Sequence, residues 1–379
     1  DARFASDRPR TMTAHLKTAA AAPAASGVSP AYGRLMSWIA RRDFREPMID
    51  LNDKTVLVTG GTGSFGQAFV RQVIAEFKPR RLIIFSRDEL KQFEMAQVFP
   101  QERYPFMRFF IGDVRSRDRL EMAMRDVDYV VHAAAMKQVP IAEYNPLECV
   151  HTNILGAENI VHAALSRGVK KVLALSTDKA ANPVNLYGAT KLASDKIFVA
   201  ANHLAGSDGT RFSVVRYGNV IGSRGSVVPM FEKMIAEGAA DLPITDDRMT
   251  RFWITLPQGV NLVLSSMAMM KGGEIYVPKI ASLKMTELAA TMAPGLGQRI
   301  IGIRPGEKLH EVMIPEDVAR QTLELADRYV ILPSWGTLRD DYAAAGAREV
   351  ADGFCYASDK NVDALDARGL QALLTDAFP

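Results

Sequence analysis

Tyr187 and Lys191 stand four residues apart, a spacing that puts two side chains on one face of a helix. A phenol with an ordinary pKa of about 10 is a poor base at neutral pH, and a nearby ammonium stabilises the phenolate. The pair is thus suited to taking a proton from a substrate hydroxyl. A few residues upstream, Leu175-Ser176-Thr177-Asp178-Lys179 closes an apolar run with an acid beside a base. Thr177 can orient a hydroxyl, and Asp178 and Lys179 can give and take protons, or else form a surface ion pair after a strand. Further back, Val56-Leu57-Val58-Thr59 runs into Gly60-Gly61-Thr62-Gly63-Ser64-Phe65-Gly66, with glycines at 60, 63 and 66. Such a loop lets backbone approach a pyrophosphate and offers it the free N–H groups of a helix start. Tyr and Lys four apart are common by chance; joined to this loop they point to hydride and proton transfer at a hydroxyl-bearing carbon.

About 20 residues after such a loop an acid usually reads the ribose 2′-hydroxyl. Here Ser86 holds that place, followed by Arg87. A guanidinium pairs with a 2′-phosphate and a carboxylate repels it, so NADP is expected rather than NAD. Asp88 and Glu89 come next and are candidates to cap the following helix. Asp113, in Ile111-Gly112-Asp113-Val114, is placed either to reach the adenine or to cap a helix.

The elements that must position these residues alternate short apolar runs with helical periods, as in an α/β doubly wound parallel sheet of the Rossmann type. Strands are expected at Thr55–Thr59, Arg81–Phe85, Arg108–Ile111, Asp128–His132, Lys171–Ser176 and Phe212–Tyr217. The helices between them are expected at Ser64–Glu76, Asp88–Val98, Ser116–Met124, Pro146–Arg167 and Tyr187–Leu204. After Tyr217 the regularity falls, with short strands near Ile244 and Ile275–Val277 and a helix Pro257–Met270 in which Met267, Met269 and Met270 read as core filling. We therefore expect a dinucleotide-binding domain over 48–220, to which later segments return, and a smaller substrate-binding lobe and tail mainly in 221–379. Residues 1–47, with their Ala/Pro/Ser run from Thr18 to Pro30, read as a disordered extension; amphipathic docking of Tyr32–Phe44 is the alternative.

Composition narrows the function classes. The chain has 379 residues with 46 basic and 43 acidic side chains, a net charge of +3. Residues 1–47 carry eight of the basic and four of the acidic ones, leaving 38 against 39 elsewhere, so the balance does not argue for nucleic acid. No run of apolar residues is long enough to span a bilayer. Two cysteines, Cys149 and Cys355, suggest neither a disulfide framework nor a metal site, and a cytoplasmic setting is expected.

Seven segments together resemble the inverting UDP-N-acetylglucosamine 4,6-dehydratases, within the extended short-chain dehydrogenase/reductase superfamily. They are Thr62–Gly66, Phe85–Glu89, Ala133–Pro140, Ser176–Ala180, Asn185–Lys191, Arg216–Val220 and Arg304–Glu311. The resemblance covers about Leu51 to Leu332 and the Gly353–Leu370 tail. It implies a soluble homo-oligomer with tightly held NADP, acting on a UDP-sugar at the start of a route to pseudaminic acid, a sugar used on flagellin and other surface glycans. It also implies that Val114 and Ala133, Ala134 and Ala135 join the glycine loop, Ser86, Arg87, Asp113, Tyr187 and Lys191 around the cofactor.

On this reading Tyr187 takes the 4-hydroxyl proton. Lys179 removes the C5 proton if its surroundings lower its pKa, and Asp178 protonates the departing 6-hydroxyl. Retaining relatives carry Asp-Glu where this chain has Asp178-Lys179, which ties inversion to the lysine by analogy. Arg251, between Met249 and Phe252-Trp253, and Arg304 are the candidate clamps on a diphosphate, with Lys137, Asn219, Arg224 and Glu307 as further substrate contacts. The rival readings are a retaining dehydratase, a nucleotide-sugar 4-epimerase, which needs no acid and base for dehydration, and a non-catalytic NADP-binding sensor, which would not need Tyr187 and Lys191.

Overall fold

A computed structural model describes residues 29–39, 42–206 and 209–365. Six strands come first: β1 Thr55–Thr59, β2 Arg81–Ser86, β3 Met107–Ile111, β4 Tyr129–His132, β5 Lys171–Thr177 and β6 Arg211–Tyr217. They pair in parallel in the order β3-β2-β1-β4-β5-β6. Every residue of β1 is buried, and all of β6 after Arg211, because helices cover both faces of the sheet. That is why these strands read as continuous runs of Val, Leu and Phe rather than alternating ones. Strand order reverses between β1 and β4, and the loops leaving those two strands border the crevice where such folds bind ligands.

Segments from far along the chain extend the sheet. Ile275–Pro278 lies parallel to β6, then Arg328–Ile331, Thr322–Glu324 and Arg348–Glu349 follow antiparallel, for ten strands in all among the described residues. A second sheet joins Asn219–Val220, Thr250–Ile254, Ala281–Lys284 and Ala364–Leu365. It shares a separate apolar cluster with Phe231, Leu288 and Met292. Helix Leu256–Met269 opens with a Thr255–Gln258 capping box; Met267 and Met270 are buried and Met269 packs against the main core.

Three local features depart from the sequence reading. First, the described part of residues 1–47 is not an extension. Pro30–Ile39 is a helix whose Leu35 and Ile39 enter the second cluster, and Phe44 enters the main core. Gln258 Nε2 donates to the carbonyls of Ile39 (2.8 Å) and Arg42 (2.6 Å), and Asn261 Nδ2 to that of Asp43 (2.7 Å). Tyr32, Leu35, Met36 and Ile39 form a stripe too short to hold a helix alone, so it takes shape only against its partner surface. Residues 1–28 and 366–379, including most of the Ala/Pro/Ser run and the end of the expected tail, lie outside the described residues. Second, 146–167 is not one uniform helix. Pro146–Val150 and Gly156–Arg167 are joined by one wide π-turn, His151–Leu155. There Asn153 turns inward to bond both the N–H and the carbonyl of Met136, at 2.9 and 3.0 Å. Third, Val139–Tyr144 adds a short helix absent from the sequence reading. Among the described residues no helix is long and apolar enough to cross a membrane.

Candidate active site

β1 delivers the chain into Gly60, whose φ of +65° suits a residue without a Cβ. A Cβ there would also lie 2.9 Å from the Ala134 nitrogen, so the loops leaving β1 and β4 are in direct contact. Gly66 sits on Gly61 just as closely: a Cβ would fall 2.3 Å from the Gly61 carbonyl oxygen. Helix Ser64–Glu76 starts from Gly63 with no capping side chain, so no side chain takes its first-turn N–H groups. Phe65 packs against the core, and the buried Thr62 hydroxyl lies 3.0 Å from that of Ser86. A bare cradle with an uncapped helix start fits a dinucleotide pyrophosphate. Next to it, the exposed Arg87 guanidinium approaches Asp113 at 3.7 Å. Asp113 receives Arg115 at 2.8 and 3.0 Å and is no helix cap, since Ser116 holds that place; Asp88 does cap its helix, accepting from Lys91 N–H at 3.0 Å. Val114 is buried against Gly156. The N–H groups of Ala133 and Ala134 both donate to Thr59 Oγ1, at 3.2 Å, while Ala135 is exposed.

Tyr187 and Lys191 lie on helix Leu186–Ala200, capped by Asn185, whose side chain accepts from Gly188 N–H at 2.7 Å. Gly188 presses on the preceding turn, with its missing Cβ only 2.2 Å from the Lys179 carbonyl oxygen, so the helix start is seated against residue 179. Lys191 is buried and its Nζ donates to the Leu175 carbonyl at 2.8 Å; burial lowers its pKa and Asp195 partly offsets that. Burial also pushes the Tyr187 phenol up to about 12, with the Lys179 charge and a hydrogen bond to Thr177 pulling the other way. Of the two lysines, Lys179 is the one whose charge pulls the Tyr187 pKa down, although the spacing points to Lys191. A buried ammonium must find an acceptor, and Lys191 finds the β5 backbone.

The charges beside Tyr187 form one cluster. Thr177 Oγ1 donates to Asp178 Oδ1 at 2.9 Å, and Lys179 Nζ donates to the same oxygen at 3.1 Å and to Asn219 Oδ1 at 3.4 Å. Glu311 closes the group from the far side: its Oε1 lies 3.2 Å from Lys179 Nζ and 3.7 Å from Arg251 Nε, and its Oε2 lies 3.9 Å from Lys308 Nζ. Both carboxylates are buried, and Asp178 Oδ2 and Glu311 Oε2 make no hydrogen bond. Burial, helped by Glu311, raises the Asp178 pKa against the pull of Lys179. Burial alone would lower that of Lys179, but Asp178 and Glu311 outweigh it and hold the ammonium above its ordinary value. The surroundings thus do the opposite of what the sequence reading required of Lys179 as a base. The sequence reading assigns no role to Glu311 or Lys308; the density of ionisable residues in Arg304–Glu311 is the signal there that points to them.

The remaining candidates divide. Arg251 is not a free clamp: it is buried and donates to the carbonyls of Thr250, Leu309 and Lys308 at 2.7, 3.2 and 2.9 Å. Arg304 is exposed, 3.8 Å from Glu307, one of whose oxygens has no hydrogen-bond partner. Lys137 Nζ donates to the Arg224 carbonyl at 3.4 Å, and Arg224 N–H donates to Ser64 Oγ at 3.1 Å, so both gather at the glycine loop.

Three comparisons bear on this geometry. Residues 56–333 match the family described as polysaccharide biosynthesis protein. Over 316 residues the chain is 60% identical to the inverting UDP-N-acetylglucosamine 4,6-dehydratase of Campylobacter jejuni, covering 82% of this chain and 94% of that one. Over 288 residues it is 42% identical to a UDP-glucose 4-epimerase of Rickettsia canadensis, covering 74% and 83%. Among solved structures, DesIV, a dTDP-glucose 4,6-dehydratase from Streptomyces venezuelae with NAD and TYD bound, superposes with a TM-score of 0.58 at 26% identity, covering 67% and 86%. With a crevice of this build and a family match across most of its length, the chain is an enzyme of the short-chain dehydrogenase/reductase fold and belongs to the polysaccharide biosynthesis protein family.

Proposed function

We propose that the enzyme removes water from UDP-N-acetylglucosamine with inversion at C5, giving UDP-2-acetamido-2,6-dideoxy-β-L-arabino-hexos-4-ulose, with NADP as its cofactor. The observation that carries this reading is the buried group of Asp178, Lys179 and Glu311 beside Tyr187. A 4-epimerase moves one hydride and one proton at C4 and has no use for a second acid–base set. A dehydratase needs one, to take the C5 proton and to protonate the leaving 6-hydroxyl. The chain has relatives of both kinds, so the buried charged group is what separates dehydration from epimerisation here.

Gly60, Thr62, Gly63, Ser64, Phe65 and Gly66 would hold the pyrophosphate, Ser86 and Arg87 a 2′-phosphate, and Asp113 and Val114 the adenine. Ala133, Ala134, Ala135, Tyr187 and Lys191 would line the nicotinamide end. When bound, the dinucleotide supplies a reversible hydride acceptor. Tyr187 takes the proton of the sugar 4-hydroxyl, which Thr177 orients. Asp178, its pKa raised by burial, is the candidate acid for the departing 6-hydroxyl. Lys179 is the candidate base for C5, and its two carboxylates set the pH at which it becomes neutral. Lys137, Asn219, Arg224, Arg304 and Glu307 would contact the UDP-sugar, and Arg251 would pin the segment that carries Lys308. Residues 48–220 serve mainly the cofactor and 221–379 mainly the sugar nucleotide. We further read the enzyme as a cytoplasmic homo-oligomer at the head of pseudaminic acid synthesis.

The test is incubation with UDP-N-acetylglucosamine in heavy water, followed by NMR at early times, before slow uncatalysed epimerisation at C5. The expected product has L-arabino couplings, one solvent deuterium at C5, and a C6 hydrogen derived from substrate C4. D-xylo couplings would overturn inversion, and a C4 epimer that keeps its 6-hydroxyl would overturn dehydration.

A further inference from the structure

We propose that Glu311 is a positioning residue that sets the charge of Lys179, and so the pH at which water loss begins. The inference deepens the dehydratase reading and rests on it for its meaning in catalysis, though its geometry stands apart. Glu311 immediately precedes the strand Val312–Ile314, more than 130 residues beyond Lys179. Its backbone is held on both sides by one residue: Glu311 N–H donates to Ser358 Oγ at 2.9 Å, and Ser358 N–H donates to the Glu311 carbonyl at 2.8 Å. The Ser358 hydroxyl in turn lies 2.6 Å from that of Thr250, the residue before Arg251. This frame aims a fully buried carboxylate into the site, where Oε1 meets Lys179 and Oε2 is left without a hydrogen bond.

The groups facing Lys179 can be named from every element packed on it. Asp178 adjoins it, Tyr187 lies on the helix Leu186–Ala200, and Asn219 opens the short strand Asn219–Val220. Arg251 comes from Thr250–Ile254, and Glu311 comes from the segment that also carries Lys308. Asp178 and Glu311 are the two anions among them. With both in place Lys179 stays an ammonium; with Asp178 alone, desolvation and the charges of Arg251 and Lys308 oppose a single carboxylate. Glu311 therefore sets how strongly Lys179 is held as an ammonium. A purely structural Glu311 would brace the lobe against β5 and leave the pH dependence of water loss untouched.

The experiment follows Lys179 itself, by NMR of the full-length protein carrying lysine labelled with 13C at Cε, with Lys179→Arg to assign the signal. In Glu311→Gln, folded by circular dichroism, the Lys179 midpoint should fall by about 1–3 pH units, and the rise of water-loss rate with pH should fall by the same amount. Glu311→Asp should recover part of both shifts. An unchanged midpoint in folded Glu311→Gln overturns the proposal. Should that variant not fold, an unchanged midpoint in Glu311→Asp overturns it equally, because the shortened carboxylate must weaken the contact. Failure of the wild-type enzyme to dehydrate UDP-N-acetylglucosamine would defeat the functional reading while leaving the titration result to stand or fall alone.

Discussion

The glycine cradle and the charged cluster are neighbours built on opposite principles. In the cradle the working atoms are backbone: Gly60, Gly63 and Gly66 contribute by lacking a Cβ, and Arg87 beside it is largely exposed. In the cluster the working atoms are side chains, and its two carboxylates are almost wholly removed from water around Lys179. Solvent and a mobile side chain can compensate for a lost contact at Arg87. In the cluster each removed charge unbalances a buried group that solvent cannot make good. The two regions should therefore answer mutation differently, the cradle to added bulk and the cluster to lost charge.

The hardest test of that contrast is Lys179→Ala, which leaves Asp178 and Glu311 without the cation between them. Water loss should fall by about a hundredfold to ten-thousandfold, the usual worth of a positioned acid–base group, while oxidation at C4 persists. Rapid mixing at the absorbance of reduced nicotinamide separates the two steps. Tyr187→Phe should remove both, and wild-type water loss in Lys179→Ala would break the comparison on the cluster side.

His132 joins the two regions and sharpens the argument. It ends β4, its Nδ1 lies 2.8 Å from Thr59 Oγ1 beneath the cradle, and burial, with a smaller push from Lys191, lowers its pKa to about 3. The unfolded chain therefore binds a proton below pH about 6.5 that the folded chain refuses, so stability is complete above that pH and is lost as pH falls towards 3. About 3 kcal/mol should disappear between pH 7 and pH 4, and His132→Gln should flatten that slope in denaturant titrations at several pH values. An equal slope would place the acid sensitivity elsewhere.

On the cradle side, Gly66→Ala puts a methyl against the Gly61 backbone, which cannot step aside. We expect a loss of about 2–3 kcal/mol by denaturant unfolding, together with poorer dinucleotide retention. An unaffected Gly66→Ala would show that the loop yields more than its close contacts suggest. The smallest effect should come from Arg87→Asp, about tenfold to hundredfold in NADP retention, the range for one charged hydrogen bond at an open position. Release by denaturation and chromatography also identifies the cofactor, and recovery of NAD alone from the wild-type protein would remove the 2′-phosphate role of Arg87.

The order of residues is enough to place the parts whose physics is local. A buried parallel strand must be apolar on both faces, so β1 to β6 could be read within a residue or two; Gly60 to Gly66 are contiguous, and Tyr187 and Lys191 share one helix. Backbone conformation, helix periodicity and the absence of a Cβ act over a few residues, and a short window suffices for them. The charges take their behaviour from the folded chain. It brought Glu311 and Lys308 to Lys179, turned Arg251 from a ligand clamp into a brace on its own chain, and gave Lys191 to the Leu175 carbonyl. It also supplied the surface on which Pro30–Ile39 becomes a helix. A charge's behaviour depends on every neighbour within a few ångströms and on how much water is excluded, and those neighbours come from segments more than a hundred residues apart that no local spacing connects.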